Sequence, residues 1–371
     1  MLTMGVEEEF FIVDPVSRML ASEGLPNMRA LLDANPTTPG TYHGFDYEFH
    51  MATVETRTDV CRSLRQLRGE LRKLRGTLTR TASDAGLSVL SAGTMPTADW
   101  RTARLMRKPR YDRCFEHYRD VVQRRITCGC HVHIGIADRE LAVHVLNRIQ
   151  PWLPLFLALS TSSPFYDSAD TGYQSFRNPL WAGFPIGGPP PLFDSHADYA
   201  EHVGHLLETD ALTDTGNLYW DARLGTNFPT LEFRIADACT TVDETILLAG
   251  LARALVLTCI DEIQAERPPV RISPPMIKAA TWRAARSGLT ADLIDPMTAE
   301  KVPASAMLDR ILQYGQEALK DLGDWEEISS LAARLLASGT SSRRQQRTLT
   351  ATGHLPDVVD ELIMETTREL Q

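Results

Sequence analysis

The chain has 371 residues and a formal net charge of −10 at pH 7, from 38 Lys and Arg against 48 Asp and Glu. Hydrophobic residues make up 43% of the chain, which is enough for a sizeable core and excludes a mainly disordered protein. The acidic balance excludes a general nucleic-acid binder, which needs a basic surface, although bound metal ions would still allow an anionic substrate.

Three features of the sequence bear on where the protein works. No apolar run reaches the roughly 18 residues of a membrane span, so we expect no membrane partner. The first residues lack the basic and apolar regions of a secretory signal. Six cysteines are too few for a disulfide scaffold, so we expect a reducing, cytoplasmic location.

The N-terminal half combines strand and helix patterns. Runs rich in aromatic and β-branched residues predict strands at 4–14, in one or two pieces at 46–57, at 87–92 and at 126–136. Helical periodicity predicts helices at 28–33, 62–84 and 111–125, and a long one from Asp138 to about 159 that bends near Pro151 and Pro154. Leucines share one face of the helix at 62–84, which favours packing on a sheet over a two-stranded coiled coil.

The C-terminal half is mainly helical. A segment at 163–194, rich in Gly, Pro and aromatic residues, is typical of a loop that covers a functional site. A strand centred on 230–236 precedes predicted helices at 243–265, 275–287, 304–321, 324–337 and 356–369. Strands come first and helices last, which predicts an α+β fold with a mainly antiparallel sheet. We expect one domain over 1–371, in which residues from about 290 to 371 form a helical C-terminal portion.

The first strand carries three consecutive glutamates among apolar residues. Side chains alternate along a strand, so Glu7 and Glu9 share one face and Glu8 points to the other. Two carboxylates on one face of a buried strand repel each other unless a cation lies between them, which favours a divalent-cation site. The alternative is an exposed edge strand with solvated acids.

A second acidic pair, Glu48 and Glu55, lies in the next strand region among apolar and β-branched residues. Carboxylates in such surroundings require partners. The partners are either cations or the side chain of Arg57, and the local sequence favours neither.

Two histidines alternate with apolar residues in the strand at 126–136. His131 and His133 share a strand face, as two ligands of one metal would. Cys128 and Cys130 complete a Cys-x-Cys-His-x-His pattern, but Cys130 lies on the face opposite to His131. The four residues do not close a tetrahedron, so we interpret the cysteines as small core residues rather than structural zinc ligands.

In the later strand, Glu232 and Arg234 share a face, which combines an acid for a metal with a cation for a phosphate; Asp221 and Arg223 repeat this spacing. The alternative is a surface cross-strand pair.

Oxygen-rich ligand sets with few imidazoles favour Mg²⁺ or Mn²⁺, and several carboxylates indicate more than one ion on nucleotide phosphates. No Walker P-loop or dinucleotide glycine motif is present, so metal ions and arginines would have to bind the phosphates.

Five segments occur together in the order seen in one family. They are MGVEEEFFIVD, YEFHMATVETR, GCHVHIGIAD, WDARLGTNFPTLEFRIADA and TWRAARSGL, between residues 4 and 289. The segment FRNPLWAGFPIGGPP and a weaker echo, GTSSRRQQR at 339–347, add to the match. The chain thereby resembles the bacterial carboxylate–amine ligases related to glutamate–cysteine ligase, the type 2 group. It departs from them at Ala280, where the family commonly has Asn.

The resemblance implies a glutamine-synthetase-like fold with helices packed on the outer face of a curved sheet. The positions that match the family's metal-binding residues are Glu7, Glu9, Glu48, Glu55, His131 and Glu232. Arg234 matches an arginine that contacts phosphate, and His131 matches a metal or phosphate histidine. We add Arg223 as a further nucleotide-binding candidate, and Arg177 as a candidate clamp for a carboxylate or phosphate.

The implied chemistry is ATP-dependent amide formation with Mg²⁺ or Mn²⁺. A substrate carboxylate, such as the γ-carboxylate of glutamate, would attack the γ-phosphorus, and an amine such as that of cysteine would displace phosphate from the acyl phosphate. The segment at 172–191 would close over the intermediate. We expect small-molecule substrates and a homo-oligomer, with a dimer favoured. The alternatives are another acid and amine pair, a metal-dependent hydrolase that uses the His-x-His strand, and a nucleotide- or metal-binding regulator without turnover.

Overall fold

The structure is a computed structural model that describes residues 2–21 and 44–370. The helix predicted at 28–33 lies outside these residues. The strands are β1 (Met4–Val13), β2 (Gly44–Tyr47), β3 (Thr53–Arg57), β4 (Ser88–Leu90), β5 (Cys130–Gly135), β6 (Phe165–Tyr166), β7 (Ala169–Asp170), β8 (Ala222–Leu224), β9 (Thr230–Phe233), β10 (Leu293–Asp295) and β11 (Glu300–Val302). The helices are α1 (Leu64–Asp84), α2 (Pro109–Tyr118), α3 (Asp120–Gln123), α4 (Arg139–Ile149), α5 (Leu153–Ser160), α6 (Arg177–Trp181), α7 (His196–Glu208), α8 (Val242–Gln264), α9 (Pro274–Ser287), α10 (Ala304–Tyr314), α11 (Gln316–Leu322), α12 (Trp325–Ser338), α13 (Ser341–Thr352) and α14 (Leu355–Thr367).

One antiparallel sheet of seven strands lies at the centre, in the order β2-β3-β1-β5-β9-β8, and β4 pairs with the end of β1. Strand β1 is therefore an interior strand, so the alternative of an exposed edge strand is wrong. Its register sets Glu9 opposite Glu55, and Glu7 opposite both Arg57 and His131.

The face of the sheet opposite to Glu7 and Glu9 packs against helices. Val6, Val132 and Phe233 lie in one hydrophobic cluster with residues of α1, α4 and α8. The leucines of α1 are buried there or against the second half of β1, which confirms a helix packed on a sheet rather than a coiled coil. Cys128 and Cys130 are free and fully buried among apolar residues, as predicted.

The predicted elements differ from the structure mainly at their ends. The helix predicted at 111–125 is two helices, because Arg119 between them has a φ of 51°. The bend near Pro151 is a 3₁₀ turn, Gln150–Trp152, between α4 and α5. The helix predicted at 304–321 is interrupted at Gly315. Asp138 caps α4 as expected, and its carboxylate accepts from two backbone amides of the first turn.

Several elements were not predicted, namely α6, α7, α13, strand β8, and the small hairpins β6-β7 and β10-β11. The antiparallel sheet with packed helices nevertheless confirms the α+β class. In the described part of the chain, none of the helices combines the length and the apolar character needed to cross a membrane.

Candidate active site

The polar face of the central sheet carries a row of acids, histidines and arginines. Residues that lie directly opposite each other on antiparallel strands share a face. Four such pairs form the row: Glu9 with Glu55, Glu7 with His131, His133 with Glu232, and Glu232 with Arg223. The alternation predicted for β1 and β5 therefore brings residues from five strands onto one surface.

A polar cavity of about 340 Å³ covers this row. The predicted residues that line it are Glu7, Glu9, Glu48, Glu55, His131, Arg223 and Arg234. Glu232 is 2% exposed and lies beneath Arg223 and Arg234, so it is not a surface cross-strand residue. Glu48 follows the end of β2 instead of lying within a strand, yet it reaches the same cavity.

The row contains two groups of residues that could hold a metal ion. Glu7, His131 and Glu232 form one, Glu9, Glu55 and His131 form the other, and within each group the ligand atoms lie within 4.8 Å of one another. The Nε2 atom of His131, which belongs to both groups, is buried without a hydrogen-bond partner. An unpartnered imidazole nitrogen among clustered carboxylates fits a divalent cation, and the oxygen-rich set fits Mg²⁺ or Mn²⁺.

The second group is electrostatically unfavourable by itself. Burial raises the pKa of Glu9 to about 7, and the charge of Glu48 adds to this effect. The Gly129 amide, which donates to Glu9 at 2.5 Å, partly offsets it. Burial also raises the pKa of Glu55 well above its ordinary value, and the charges of Glu7 and Glu48 raise it further. A cation would relieve this repulsion.

The first group is already balanced by basic side chains. Burial tends to raise the pKa of Glu7, but the charge of His133 and a hydrogen bond with His131 lower it well below the ordinary value. Glu232 is also buried, and Arg223 and Arg234 keep its pKa low. Arg223 donates to Glu232 from Nε at 2.7 Å, and Arg234 pairs with the other oxygen.

Arg57 is a partner of Glu55, which is one of the two alternatives that the sequence left open for the pair Glu48 and Glu55. Its Nη2 lies 2.6 Å from Oε1 of Glu55, and its Nε lies 3.4 Å from Oε1 of Glu7. The arginine therefore neutralises part of the charge at the outer side of the row, while Glu9 faces Glu48 and the cavity.

Arg177 does not line the polar cavity. It is buried at the start of α6, and its guanidinium donates to the carbonyls of Arg234 and Ile235 at 3.3 Å. Ser175, two residues earlier, donates to the buried carboxylate of Asp237 at 2.8 Å. The segment at 163–194 is thus held to the residues that follow β9. The clamp role of Arg177 stays a prediction, and these contacts do not favour it.

A second cavity, of about 480 Å³, adjoins the first. Its apolar lining comes from Val60, Ile136, Ala137, Phe228 and Pro229. Glu7 and Arg57 line both cavities, so the row of acids in the polar cavity borders the apolar cavity at Glu7.

The sequence did not point to several residues of the polar cavity, among them Arg110, Arg125, Trp181, Asp214 and Tyr219. Arg110 pairs with Asp214 at 3.0 Å across a separation of 104 residues. Such contacts depend on tertiary structure, and no local periodicity marks them. The only available signal was the aromatic content of the segment at 163–194, which includes Trp181.

Comparisons with known proteins identify the family of the chain. The glutamate–cysteine ligase family 2 profile matches residues 3–361. The chain is 38% identical to a candidate glutamate–cysteine ligase 2 from Rhodopirellula baltica, over 98% of this chain and 96% of that protein. It is 40% identical to a candidate glutamate–cysteine ligase 2-2 from Frankia casuarinae, of whose length it spans only 41%.

Solved structures share the fold at low identity. The glutamate–cysteine ligase of Francisella tularensis, solved with AMP, has a TM-score of 0.73 and 14% identity, over 100% of this chain and 89% of that one. A bifunctional glutathione synthetase from Pasteurella multocida has a TM-score of 0.72 and 14% identity, over 100% of this chain and 52% of that one. The predicted glutamine-synthetase-like fold is thereby confirmed. The chain belongs to glutamate–cysteine ligase family 2 and is a ligase of the ATP-dependent carboxylate–amine class, as its motifs predict.

Proposed function

We propose that the protein joins a carboxylate to an amine through an acyl phosphate, with glutamate and cysteine as the first candidate substrates. The observation that carries this proposal is the two carboxylate clusters that share His131 in the polar cavity, with Glu7 also lining the apolar cavity. The relatives from Rhodopirellula and Frankia are named for ligation of glutamate to cysteine, which supports the choice of substrates.

The two compartments suit the two kinds of ligand. The apolar cavity suits the base of ATP, and the polar cavity suits an acid and an amine. Glu7, Glu232 and His131 would hold a Mg²⁺ or Mn²⁺ ion toward the nucleotide, and Glu9, Glu55 and His131 one toward the acid. When bound, such ions would neutralise charge on the phosphoryl group that is transferred.

In the first step a carboxylate oxygen bonds to the γ-phosphorus, and the bond to the β-phosphate oxygen breaks to release ADP. In the second step the amine nitrogen bonds to the carbonyl carbon, the amine loses a proton, and inorganic phosphate leaves. Arg234, which lines the cavity beside Glu232 and His131, would neutralise charge on the transferred group. Orientation of the two substrates in one cavity supplies much of the remaining acceleration.

The activity test is ADP release from the purified protein with ATP, Mg²⁺ and pairs of acids and amines. We expect ADP and phosphate only when both an acid and an amine are present. Product without ATP would support a metal-dependent hydrolase, and tight ATP binding without turnover of any pair would support a regulator. Either outcome would contradict the proposal.

The site is tested by Glu232→Gln. We expect the rate of ADP release to fall by about a thousandfold or more. The change removes a buried charge that pairs with two arginines and belongs to one of the two proposed metal-binding groups. The control is Glu208→Gln, since Glu208 is exposed at the end of α7. A near-normal rate in Glu232→Gln would contradict the site assignment.

A further inference from the structure

One wall of the polar cavity is formed by an arginine packed among aromatic rings. The Cζ atom of Arg125 lies 3.7 Å from the ring centroid of Trp181, 4.8 Å from that of Phe184 and 4.9 Å from that of Tyr219. The rings also contact one another, with centroids 4.7 Å apart for Trp181 and Tyr219 and 4.5 Å apart for Phe184 and Tyr219. We call these three residues the aromatic box. Faces of aromatic rings attract a guanidinium and fix its position.

Among the described residues, the guanidinium of Arg125 has no anionic partner. Arg125 is 9% exposed, and its Nη1 atom is buried without a hydrogen-bond partner. Within the described ranges, 2–21 and 44–370, it makes no ion pair shorter than 4 Å with a carboxylate. Other arginines of this cavity are paired, as Arg110 is with Asp214, and Arg223 and Arg234 are with Glu232.

A buried cation without a counter-ion is costly, and the cost is recovered when an anion binds. Arg125 lines the polar cavity and not the apolar one, whereas Glu7 lines both. The proposed function assigns the polar cavity to the acid and the amine substrates, so their carboxylates are anions that can meet Arg125 there. The planar fork of a guanidinium matches a carboxylate through two parallel hydrogen bonds.

We propose that Arg125, held by the aromatic box, binds a substrate carboxylate that does not react. This inference rests on the proposed function and adds to it a requirement, namely that at least one substrate carries a second carboxylate. That group belongs either to the acid substrate, as in glutamate, or to the amine substrate, as in cysteine. Arg125 is thus a residue that determines specificity. It takes the role of carboxylate clamp for which the sequence analysis named Arg177 as the candidate.

The test measures kcat/KM for substrates that differ by one carboxylate. L-Glutamate is compared with 4-aminobutyrate, and L-cysteine with 2-aminoethanethiol, in the wild type and in Arg125→Met. We expect the wild type to prefer the carboxylate-bearing member of at least one pair. We expect Arg125→Met to lose about 10- to 100-fold of that preference, the size of a lost charged hydrogen bond, with the KM for ATP unchanged.

Two further variants separate the charge of Arg125 from its place in the fold. Arg125→Lys keeps a charge but loses the two-pronged geometry, so we expect part of the preference to remain. Arg124→Met is the matched control, because Arg124 is the exposed neighbour in sequence, and its preference should equal that of the wild type.

The outcomes distinguish failure of this inference from failure of the proposed function. An unchanged preference in both Arg125 variants, or a change confined to the KM for ATP, would overturn the role of Arg125 and leave the ligase assignment intact. A wild type that forms no ADP with any acid and amine would overturn the proposed function, and this inference with it.

Discussion

Asp221 is a carboxyl group that the fold buries with incomplete hydrogen bonding. It is 7% exposed, and its Oδ2 atom has no hydrogen-bond partner. Burial raises the pKa of Asp221 to about 7, and the nearby charge of Arg177 offsets only part of the effect. The residue borders a small cavity with Trp181 and Arg234, next to the proposed site. A group of this kind makes stability depend on pH.

The sign of the dependence follows from the folded pKa, which is higher than the unfolded one. Between about pH 4 and pH 7 the folded protein holds a proton on Asp221 that the unfolded chain releases, so the free energy of unfolding falls as the pH rises. Asp221→Asn cannot ionise. We therefore expect its free energy of unfolding, taken relative to that of the wild type, to be about 2 kcal/mol higher at about pH 8 than at about pH 5.

Urea unfolding at the two pH values measures this difference, and Asp309→Asn, a change at an exposed position of α10, is the control. A difference between Asp221→Asn and the wild type that does not vary with pH would contradict the role of Asp221.

Strand alternation was sufficient to predict which residues share the polar face. Glu7, Glu9, His131 and Glu232 are each placed by a two-residue period, and the sheet brings them together. Arg125 could not be predicted in this way. Its aromatic box combines side chains from positions 181, 184 and 219, and only the tertiary fold makes them neighbours.

At the scale of elements, strand β1 is fixed to two helices through its middle glutamate. Glu8 points away from the proposed site and forms a buried ion pair with Arg75 of α1 at 2.6 Å. It also accepts from Thr245 of α8 at 2.6 Å. Arg75 donates in addition to the carbonyls of Cys239 and Thr240. The contacts on one face of β1 thereby set the position of Glu7 and Glu9 on the other.

Removal of Arg75 should destabilise the protein strongly. Arg75→Met leaves the charge of Glu8 buried without its cation, and we expect the free energy of unfolding to fall by about 3 to 5 kcal/mol. Arg65→Met, at an exposed position of the same helix, is the control. The comparison uses urea unfolding of both variants at one pH. A loss in Arg75→Met no greater than that in Arg65→Met would contradict the role of the ion pair.

Hydrophobic periodicity predicted most elements but missed helix α13. Its buried side chains are polar: Ser342 donates to Gln174 at 2.8 Å, and Gln345 donates to the Ser162 carbonyl at 2.8 Å. A helix held by hydrogen bonds has no apolar stripe, so its packing cannot be predicted from the pattern of apolar residues. The break at Arg119 was missed for a similar reason, since a positive φ in a non-glycine residue has no sequence signature.

At the scale of the whole molecule, the order of elements was enough to predict the α+β class, and the motifs were enough to predict the family. The two cavities were not predicted, because their walls combine residues that are far apart in sequence. The single domain, the homodimer and the cytoplasmic location stay predictions. The acidic net charge is consistent with a polyphosphate substrate, since we propose that acids on the polar face hold cations.

The central claim is that a substrate carboxylate is phosphorylated before the amine attacks. The most direct measurement follows oxygen from an acid whose carboxylate carries oxygen-18 at both positions. An acyl phosphate passes one carboxylate oxygen to phosphorus, so we predict one labelled atom in each phosphate released and one in the amide product. Amide formation that releases unlabelled phosphate would contradict the account.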